Sequence, residues 1–202
     1  MAPPGRARMI EKSLRELRRV TRNHGLGRAV FGLLARRGSE EQLIGGLVGD
    51  LMTRNVATCT GADTLHRAAQ LMWDRDCGAI PIVDAEGRAV GLVTDRDLCM
   101  SAYTRGRPLA AIPVSSLLSG QLFTCSPLNS IDEAVERMRA QRIRRLVVVE
   151  GKQQHVVGML ALADVARHLS SLAPFEPRAP LLLAELLAAL SERRLPAERA
   201  AE

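Results

Sequence analysis

The sequence predicts an α/β fold in which two tandem β-α-β-β-α units form one pseudo-two-fold module, with extra helices at the N- and C-termini. Three observations lead to this expectation. The chain of 202 residues matches itself when it is shifted by 66 positions. Each copy alternates short apolar runs with segments whose apolar residues recur every three to four positions. Hydrophobic residues make up 47% and charged residues 25% of the chain, which is ordinary for a folded protein.

The repeat is supported by matches in the same order along both copies. Near the turn at 150–152 one residue is inserted and the shift becomes 67. We expect the first copy at 48–109 and the second at 110–172. A basic helical extension then occupies 1–47, and a proline-containing linker with an apolar helix occupies 173–202. The matched segments are Asp50-Leu51-Met52 with Ser116-Leu117-Leu118, Thr58-Cys59 with Thr124-Cys125, and Gly91-Leu92-Val93 with Gly158-Met159-Leu160.

Each copy predicts the same elements. A short strand at 56–59 or 122–125 precedes an amphipathic helix, whose N-terminus can be capped by Asp63 or Thr64 in copy one and by Ser130 in copy two. Two strands joined by a turn follow, and a second helix opens at Thr94 or Ala161. Because these strands are continuously apolar, they are expected to be covered by helices.

Copy one contains two ordered motifs, Gly78-Ala79-Ile80-Pro81-Ile82-Val83-Asp84 and Gly91-Leu92-Val93-Thr94-Asp95-Arg96-Asp97. This order resembles that of the CBS domain, the repeat of cystathionine-β-synthase type, and copy two resembles it as well. The resemblance covers about 60% of the chain and implies a stand-alone tandem pair, or Bateman module, with two symmetry-related clefts. It also implies that the module binds adenosine-containing ligands and forms dimers, as such modules commonly do.

Thr94 and Asp97 are the best candidate ligand residues. Thr94 lies where a strand enters a helix, so free backbone N–H groups and a hydroxyl can receive a phosphate. Asp97 follows one turn later, where its carboxylate can accept hydrogen bonds from a ribose diol. The resemblance implies the same two roles. The pattern is also a plain N-cap, and the two interpretations are compatible.

The second copy departs from this pattern, so the two clefts are expected to differ. Asp164 is retained as a ribose ligand, but Ala161 replaces the hydroxyl residue. Arg144 and Arg145 crowd the start of the central strand, where copy one has Gly78 and Ala79. The resemblance implies that they neutralise phosphates. The alternative is a solvated strand end.

Four further residues are candidates for the walls of the base pockets: Val56, Cys77, Leu122 and Ile143. Small apolar side chains suit an adenine face and suit a core equally well. All four cysteines are expected to be buried and reduced, with a Cys59–Cys125 disulfide as the alternative. The histidines have no ligand spacing, so no metal site is expected.

The basic charge belongs to the N-terminus, because residues 1–38 carry ten Arg and Lys against two Glu. Ile10, Leu14 and Leu17 form an apolar stripe there, which favours a packing helix over a nucleic-acid or membrane anchor. At the other end, the apolar segment 181–190 is expected to pack on the body or on a second subunit.

The sequence therefore predicts a regulatory sensor of AMP, ADP, ATP or S-adenosylmethionine that is not an enzyme and holds no covalent cofactor. We expect a cytoplasmic homodimer with no membrane span, whose N- or C-terminal helices can contact a protein partner. Nucleic acid is not expected as a partner. The alternatives are a structural, dimerising CBS pair with degenerate sites and a nucleic-acid-associated regulator that uses the basic arm.

Overall fold

The computed structural model describes residues 45–118, 120–173 and 179–191. The basic N-terminal extension and its Ile10, Leu14 and Leu17 stripe lie outside the described residues, so their role stays a prediction. Most of the expected linker after 173 also falls outside them.

The two repeats contain the predicted elements in the predicted order. Repeat 1 comprises α1 (Val48–Leu51), β1 (Thr53–Arg54), β2 (Cys59–Thr60), α2 (Leu65–Asp74), β3 (Ala79–Val83), β4 (Ala89–Thr94) and α3 (Asp95–Arg105). Two 3₁₀ turns, Leu109–Ala111 and Val114–Leu117, lead into repeat 2. Repeat 2 comprises β5 (Thr124–Cys125), α4 (Ile131–Ala140), β6 (Arg145–Glu150), β7 (His155–Ala161) and α5 (Leu162–Leu172), and α6 (Ala179–Ser191) follows it.

The strands form two sheets. One has the order β2-β3-β4 and the other has the order β1-β7-β6-β5. Strand β2 runs parallel to β3, and β5 runs parallel to β6, whereas the hairpins β3-β4 and β6-β7 are antiparallel. Strand β1 of repeat 1 pairs with β7 of repeat 2, with Thr53 opposite Met159. The first strand of the described residues therefore lies on the sheet of the other repeat.

The segment before each repeat docks on the first helix of the other repeat. At repeat 2, the Val48 N–H donates to the Asn129 carbonyl at 2.9 Å, and the Ile131 N–H donates to the Gly46 carbonyl at 3.2 Å. At repeat 1 the matching bonds are donated by the Val114 N–H to the Asp63 carbonyl at 2.8 Å and by the Leu65 N–H to the Ile112 carbonyl at 2.9 Å. The two bonds at repeat 2 are related to the two at repeat 1 by the 66-residue shift. We call the segments that carry Gly46 and Val48, and Ile112 and Val114, the leading segments of repeats 1 and 2. Each leading segment docks on the other repeat, so the exchange is reciprocal.

The two hairpins meet at the other end of the repeats. The Ala89 N–H donates to the Gln154 carbonyl at 3.0 Å, and the Val156 N–H donates to the Gly87 carbonyl at 3.3 Å. These bonds join the turn of repeat 1 to the turn of repeat 2 through main-chain atoms alone.

Each repeat has its own apolar core between its sheet and its helices. In repeat 2 the core is extended by α6, whose Ala179, Leu186 and Leu190 are buried with Met138 and Leu169. The apolar segment predicted at the C-terminus therefore covers the body of its own chain. It packs on α4 and α5, and repeat 1 has no helix in the equivalent position within the described residues.

Two expectations about local structure were wrong. The strands predicted at 56–59 and 122–125 are only two residues long, and β2 begins one repeat position later than β5. In repeat 2 the Val147 N–H donates to the Phe123 carbonyl at 3.2 Å. The residue of repeat 1 that corresponds to Val147 is Pro81, which has no N–H to donate. The pairing of β2 with β3 therefore starts one residue further along the chain.

The second error concerns the cysteines. Cys59 and Cys125 are buried as expected, but Cys77 and Cys99 are exposed, and all four thiols are free. Cys77 follows the left-handed residue Asp76, at φ 47°, where the chain turns out of α2 on the surface. Cys99 lies on the outer side of α3. A disulfide between Cys59 and Cys125 is absent.

Gly91 and Gly158 are repeat mates that let the leading segments approach the hairpins closely. A Cβ on Gly158 would lie 2.5 Å from the Thr53 carbonyl oxygen, which belongs to the backbone of β1. A Cβ on Gly91 would lie 2.8 Å from a terminal methyl of Leu118 and 3.0 Å from a terminal methyl of Ile82. Side-chain ends can move aside, whereas a paired strand cannot.

We therefore expect Gly158→Ala to destabilise the protein more than Gly91→Ala. Overpacking of this kind typically costs about 1–3 kcal/mol, and the entropic gain from replacing glycine is common to both variants. Urea unfolding followed by circular dichroism measures the difference. Equal losses, or a larger loss for Gly91→Ala, would contradict the proposed backbone clash.

Candidate functional site

The Thr94 hydroxyl and the Asp97 carboxylate lie together at the start of α3. Asp97 Oδ2 accepts hydrogen bonds from the Thr94 N–H at 2.8 Å and from the Thr94 hydroxyl at 2.6 Å. Thr94 Oγ1 in turn accepts from the Asp97 N–H at 3.3 Å. The pair is thus a reciprocal helix cap. Asp97 Oδ1 takes no part in these bonds, so this oxygen can accept a hydrogen bond from a ligand hydroxyl.

The equivalent position in repeat 2 has a different arrangement. Asp164 is buried, with 7% exposure, and its Oδ2 accepts from the Ala161 N–H at 2.8 Å. Its Oδ1 is held by the guanidinium of Arg167. Ala161 contributes no hydroxyl. Both oxygens of Asp164 therefore have partners, whereas the cap of Asp97 uses only Oδ2.

Arg145 reaches across from repeat 2 to repeat 1. Its Nη2 lies 2.9 Å from where a Cβ on Gly78 would be, and Asp95 Oδ2 lies 2.8 Å from the same point. The Gly78 carbonyl also accepts the Asp95 N–H at 3.3 Å, at the first turn of α3. Gly78 thus provides the space in which a cation from one repeat stands beside the helix start that carries Asp97.

Arg144 does not share this position. Its side chain is exposed, and its backbone carbonyl accepts the Leu162 N–H at 2.9 Å. This bond is the repeat mate of the one between Gly78 and Asp95. Of the two arginines predicted from the sequence, the structure brings only Arg145 next to the residues of the other repeat.

The four candidates for the base pockets separate into two groups. Val56 and Leu122 are half-buried and belong to neither core, as expected of cleft walls. Ile143 packs against the core of repeat 2. Cys77 is exposed, with its Sγ 3.6 Å from the Ala79 carbonyl. The core interpretation therefore applies to Ile143, and the cleft interpretation remains open for the other three.

A cleft between α1 and α5 was not predicted from the sequence. It has a volume of about 330 Å³ and is lined by Asp50, Leu51, Asp164, Arg167, His168 and Ser171. The Nε2 atom of His168 is buried without a hydrogen-bond partner among the described residues. The polar residues of α5 recur at helical spacing from Asp164 to Ser171, and this pattern could have indicated a polar helix face. The other part of the wall, Asp50 and Leu51 of α1, reaches α5 only because the leading segment of repeat 1 docks on repeat 2.

A larger groove of about 390 Å³ lies between the two hairpin turns, away from every predicted site residue. Arg88 forms ion pairs there with Asp84 at 2.6 Å and with Glu86 at 2.7 Å. Desolvation opposes the charged form of Asp84, but hydrogen bonds and the charge of Arg88 hold the pKa of this carboxyl below its usual value. These exposed charges already have partners, so we assign the groove no ligand.

Among the described residues, no group of three or more His, Cys, Asp or Glu side chains is close enough to hold a metal ion. Within the same ranges, no helix is both long and apolar enough to cross a membrane.

The chain belongs to the CBS-domain family. The family model matches residues 48–102 and 114–171, which are the two repeats. The chain is also similar to the CBS domain-containing protein YhcV of Bacillus subtilis, with 39% identity over 119 residues, 59% of this chain and 82% of that protein. The predicted repeat and the resemblance are thereby confirmed.

Two solved structures share the fold at lower identity. The CBS domain pair of protein MJ0100, in complex with 5′-methylthioadenosine and S-adenosyl-L-methionine, has a TM-score of 0.57 at 21% identity and covers 62% of this chain and 97% of its own. CBSX2 in complex with AMP has a TM-score of 0.55 at 22% identity, with 63% and 98% covered. Identities this low establish the shared fold alone.

The buried thiols should react far more slowly than the exposed ones. Burial, with a smaller contribution from the Asp63 carboxylate, raises the pKa of Cys59 to about 11. Burial also raises the pKa of Cys125 to about 11, although Arg137 acts in the opposite direction. At pH 8 a thiol of this pKa is only about 0.1% thiolate, which is the reactive form.

We expect two of the four thiols to react rapidly with Ellman's reagent at pH 8 in the native protein, and all four after denaturation. The double variant Cys77→Ser/Cys99→Ser is the matched control and should lack the rapid phase. Four rapid thiols in the native protein would show that Cys59 and Cys125 are not protected.

Proposed function

We propose that this protein is a regulatory sensor of an adenosine-containing ligand that binds in the clefts between its repeats. The observation that carries the proposal is the arrangement at the start of α3. Asp97 has one carboxylate oxygen outside its cap, and Arg145 of the other repeat stands beside the same helix start. A ribose needs the first feature and a phosphate needs the second.

The chemistry of each group fits its part of such a ligand. Asp97 Oδ1 accepts a ribose hydroxyl, a charge-assisted bond stronger than a neutral one. The positive end of the α3 dipole and the Arg145 guanidinium attract the phosphate. We assign the half-buried Val56 and the exposed Cys77 to the wall of the base pocket. In repeat 2 we assign Asp164 and Leu122 the corresponding roles, and Arg144 a peripheral one.

The relatives support an adenosyl ligand in general terms. One structure of the same fold holds AMP, and another holds 5′-methylthioadenosine and S-adenosylmethionine. These ligands share adenosine and differ at the 5′ position, which is the part that Arg145 would meet. We therefore propose AMP as the first ligand to be tested at the Asp97 cleft.

We also propose that the protein forms a homodimer through the helices of repeat 1. In repeat 2, α6 of the same chain covers α4 and α5. Repeat 1 leaves Trp73 on α2 and Tyr103 on α3 largely exposed, at 88% and 82%. Exposed aromatic side chains on packed helices are typical of an interface. A ligand that alters the angle between the repeats would then alter the dimer surface.

Asp97→Ala should weaken AMP binding more than Asp164→Ala does. The Oδ1 atom of Asp97 lies outside the helix cap and is not held by an arginine, and Asp97 has the Thr94 hydroxyl as a neighbour. The Oδ1 atom of Asp164 is already paired with Arg167. Loss of a charged acceptor costs about 1.5–3 kcal/mol, which corresponds to roughly ten- to a hundredfold in the dissociation constant. Isothermal titration calorimetry with AMP measures both.

Asp97→Asn is the matched control, because it keeps an acceptor for the helix cap and removes the charge. It should retain the wild-type melting temperature more closely than Asp97→Ala while still binding AMP weakly. Equal losses for Asp97→Ala and Asp164→Ala would contradict the asymmetry between the clefts. If no adenosyl ligand bound the wild type, a purely structural CBS pair would be favoured.

The dimer is tested by light scattering coupled to size exclusion. The expected mass is twice the chain mass of 22.0 kDa at micromolar concentration. Trp73→Ala combined with Tyr103→Ala should shift the protein towards the monomer, whereas Leu128→Ala, at an exposed leucine in a loop of repeat 2, should not. A wild-type mass near that of one chain would refute the dimer.

A further inference from the structure

We propose that the exposed side of α6 docks on the helices of repeat 1 of a second copy of this chain, and that a two-fold axis forms this contact twice in each dimer. The inference rests on the proposed homodimer and names the surface that meets the helices of repeat 1. Its evidence is a pair of apolar surfaces, one on each repeat, that the described part of the chain leaves exposed.

The helix α6 is apolar on two sides, and its own chain covers one of them. Ala179, Leu186 and Leu190 are buried in the core of repeat 2. The other side stays exposed, with Leu181 and Leu187 each at 45%. A helix that is apolar all round is normally buried all round, so this side is expected to be covered. We call it the α6 outer face, and its members, which recur every three or four positions, are Leu181, Ala184, Leu187 and Ala188.

The helices of repeat 1 carry the second apolar surface, which we call the repeat 1 face and which consists of Trp73, Met100 and Tyr103. Trp73 on α2 is 88% exposed, and Met100 and Tyr103 on α3 are 44% and 82% exposed. Because Met100 and Tyr103 are three positions apart, they lie on the same side of α3. By the repeat shift, the equivalent residues of repeat 2 are polar, namely Arg139, Arg167 and Ser170. The fold of a repeat therefore does not require this apolar surface, which is specific to repeat 1.

The seat of α6 on repeat 2 is not reproduced on repeat 1. Leu169 is buried in the core that includes α6, and Leu172 packs against this core. Their repeat mates are Ala102 and Arg105, so repeat 1 lacks an apolar seat of the same size. Repeat 1 of a second copy would therefore not accept the buried side of α6 in an exchange of helices. The contact is made by the α6 outer face while α6 stays on its own chain.

A second copy of the chain is the occupant that covers both surfaces. Among the described residues eight large apolar side chains are exposed, and five of them belong to the α6 outer face or the repeat 1 face. If two repeat 1 faces paired with each other, Leu181 and Leu187 would stay in water. If two α6 outer faces paired, Trp73 and Tyr103 would stay in water. A contact between unlike surfaces covers all of them, and a two-fold axis closes it at two copies instead of an open chain.

Charges introduced on the two surfaces of the full chain test the contact. Leu187→Asp, on the α6 outer face, should raise the dissociation constant of the dimer about tenfold or more, because it places an unpaired charge in an apolar contact that each dimer contains twice. Tyr103→Lys, on the repeat 1 face, should have the same effect. Leu128→Asp is the matched control, since Leu128 is an exposed leucine outside both surfaces, and it should dimerise like the wild type. Sedimentation velocity over a concentration series measures the dissociation constants.

An equimolar mixture of Leu187→Asp and Tyr103→Lys separates this arrangement from the two alternatives. In a mixed dimer one contact joins two unsubstituted surfaces, and the other brings the new carboxylate to the new ammonium group. The mixture should therefore dimerise about tenfold more tightly than either variant alone. Such a rescue also shows that both variants are folded, because a misfolded chain would not regain affinity on mixing.

The possible failures are distinct. A wild type that sediments as one chain would refute the homodimer and this inference together, whereas the titration with AMP tests the ligand sensor separately. If the wild type dimerises and Leu187→Asp dimerises equally well, the homodimer stands and the α6 outer face is not part of it. If two folded variants, as judged by circular dichroism, gain nothing on mixing, the contact between unlike surfaces is refuted. A wild-type mass above that of two chains would overturn the two-fold closure.

Discussion

The reciprocal docking of each leading segment on the opposite repeat is the interaction on which the rest of the module depends. Val48 and Val114, from the two segments, are fully buried, and Ile112 is 1% exposed. Burial of one such side chain contributes about 1.5–3 kcal/mol, and the associated N–H and carbonyl groups would lack partners in an isolated repeat. Neither repeat is therefore a complete folding unit, and unfolding is expected to involve both together.

The same exchange explains why both candidate clefts contain residues from two parts of the chain. Asp50 and Leu51 reach α5 because the segment that carries them is docked on repeat 2. Arg145, at the start of the central strand of repeat 2, lies beside Gly78 and Asp95 of repeat 1. A ligand in either cleft would contact groups whose relative positions define how the repeats are joined.

The sequence predicted the fold well because its signals are local and occur twice. The capping box at Ser130 and Glu133 is present, with the Ser130 N–H 3.1 Å from the Glu133 carboxylate. Thr64, one of two candidate caps, accepts from the Arg67 N–H. Each signal needs only a few neighbouring residues, and the second copy provides an internal check on the first.

The errors arise where the outcome depends on distant residues. The start of β2 is set by Pro81, which lies more than twenty positions away and opposes it only after the sheet has formed. The exposure of Cys77 follows from a left-handed turn at Asp76 that composition does not indicate. The cleft of His168 was missed because two of its six lining residues, Asp50 and Leu51, come from the segment that opens the other repeat. Periodicity within one helix cannot show this wall.

The joint between the hairpins has a consequence for how the two copies can diverge. It is made by main-chain atoms of Gly87, Ala89, Gln154 and Val156, and two of these residues have a left-handed backbone, with φ 81° at Gly87 and φ 55° at Gln154. The extra residue in the second turn, which changes the repeat shift from 66 to 67, lies next to this joint, and the bonds are still formed. Substitutions at the other turn residues can therefore change the surface charge there without removing the bonds that unite the two copies.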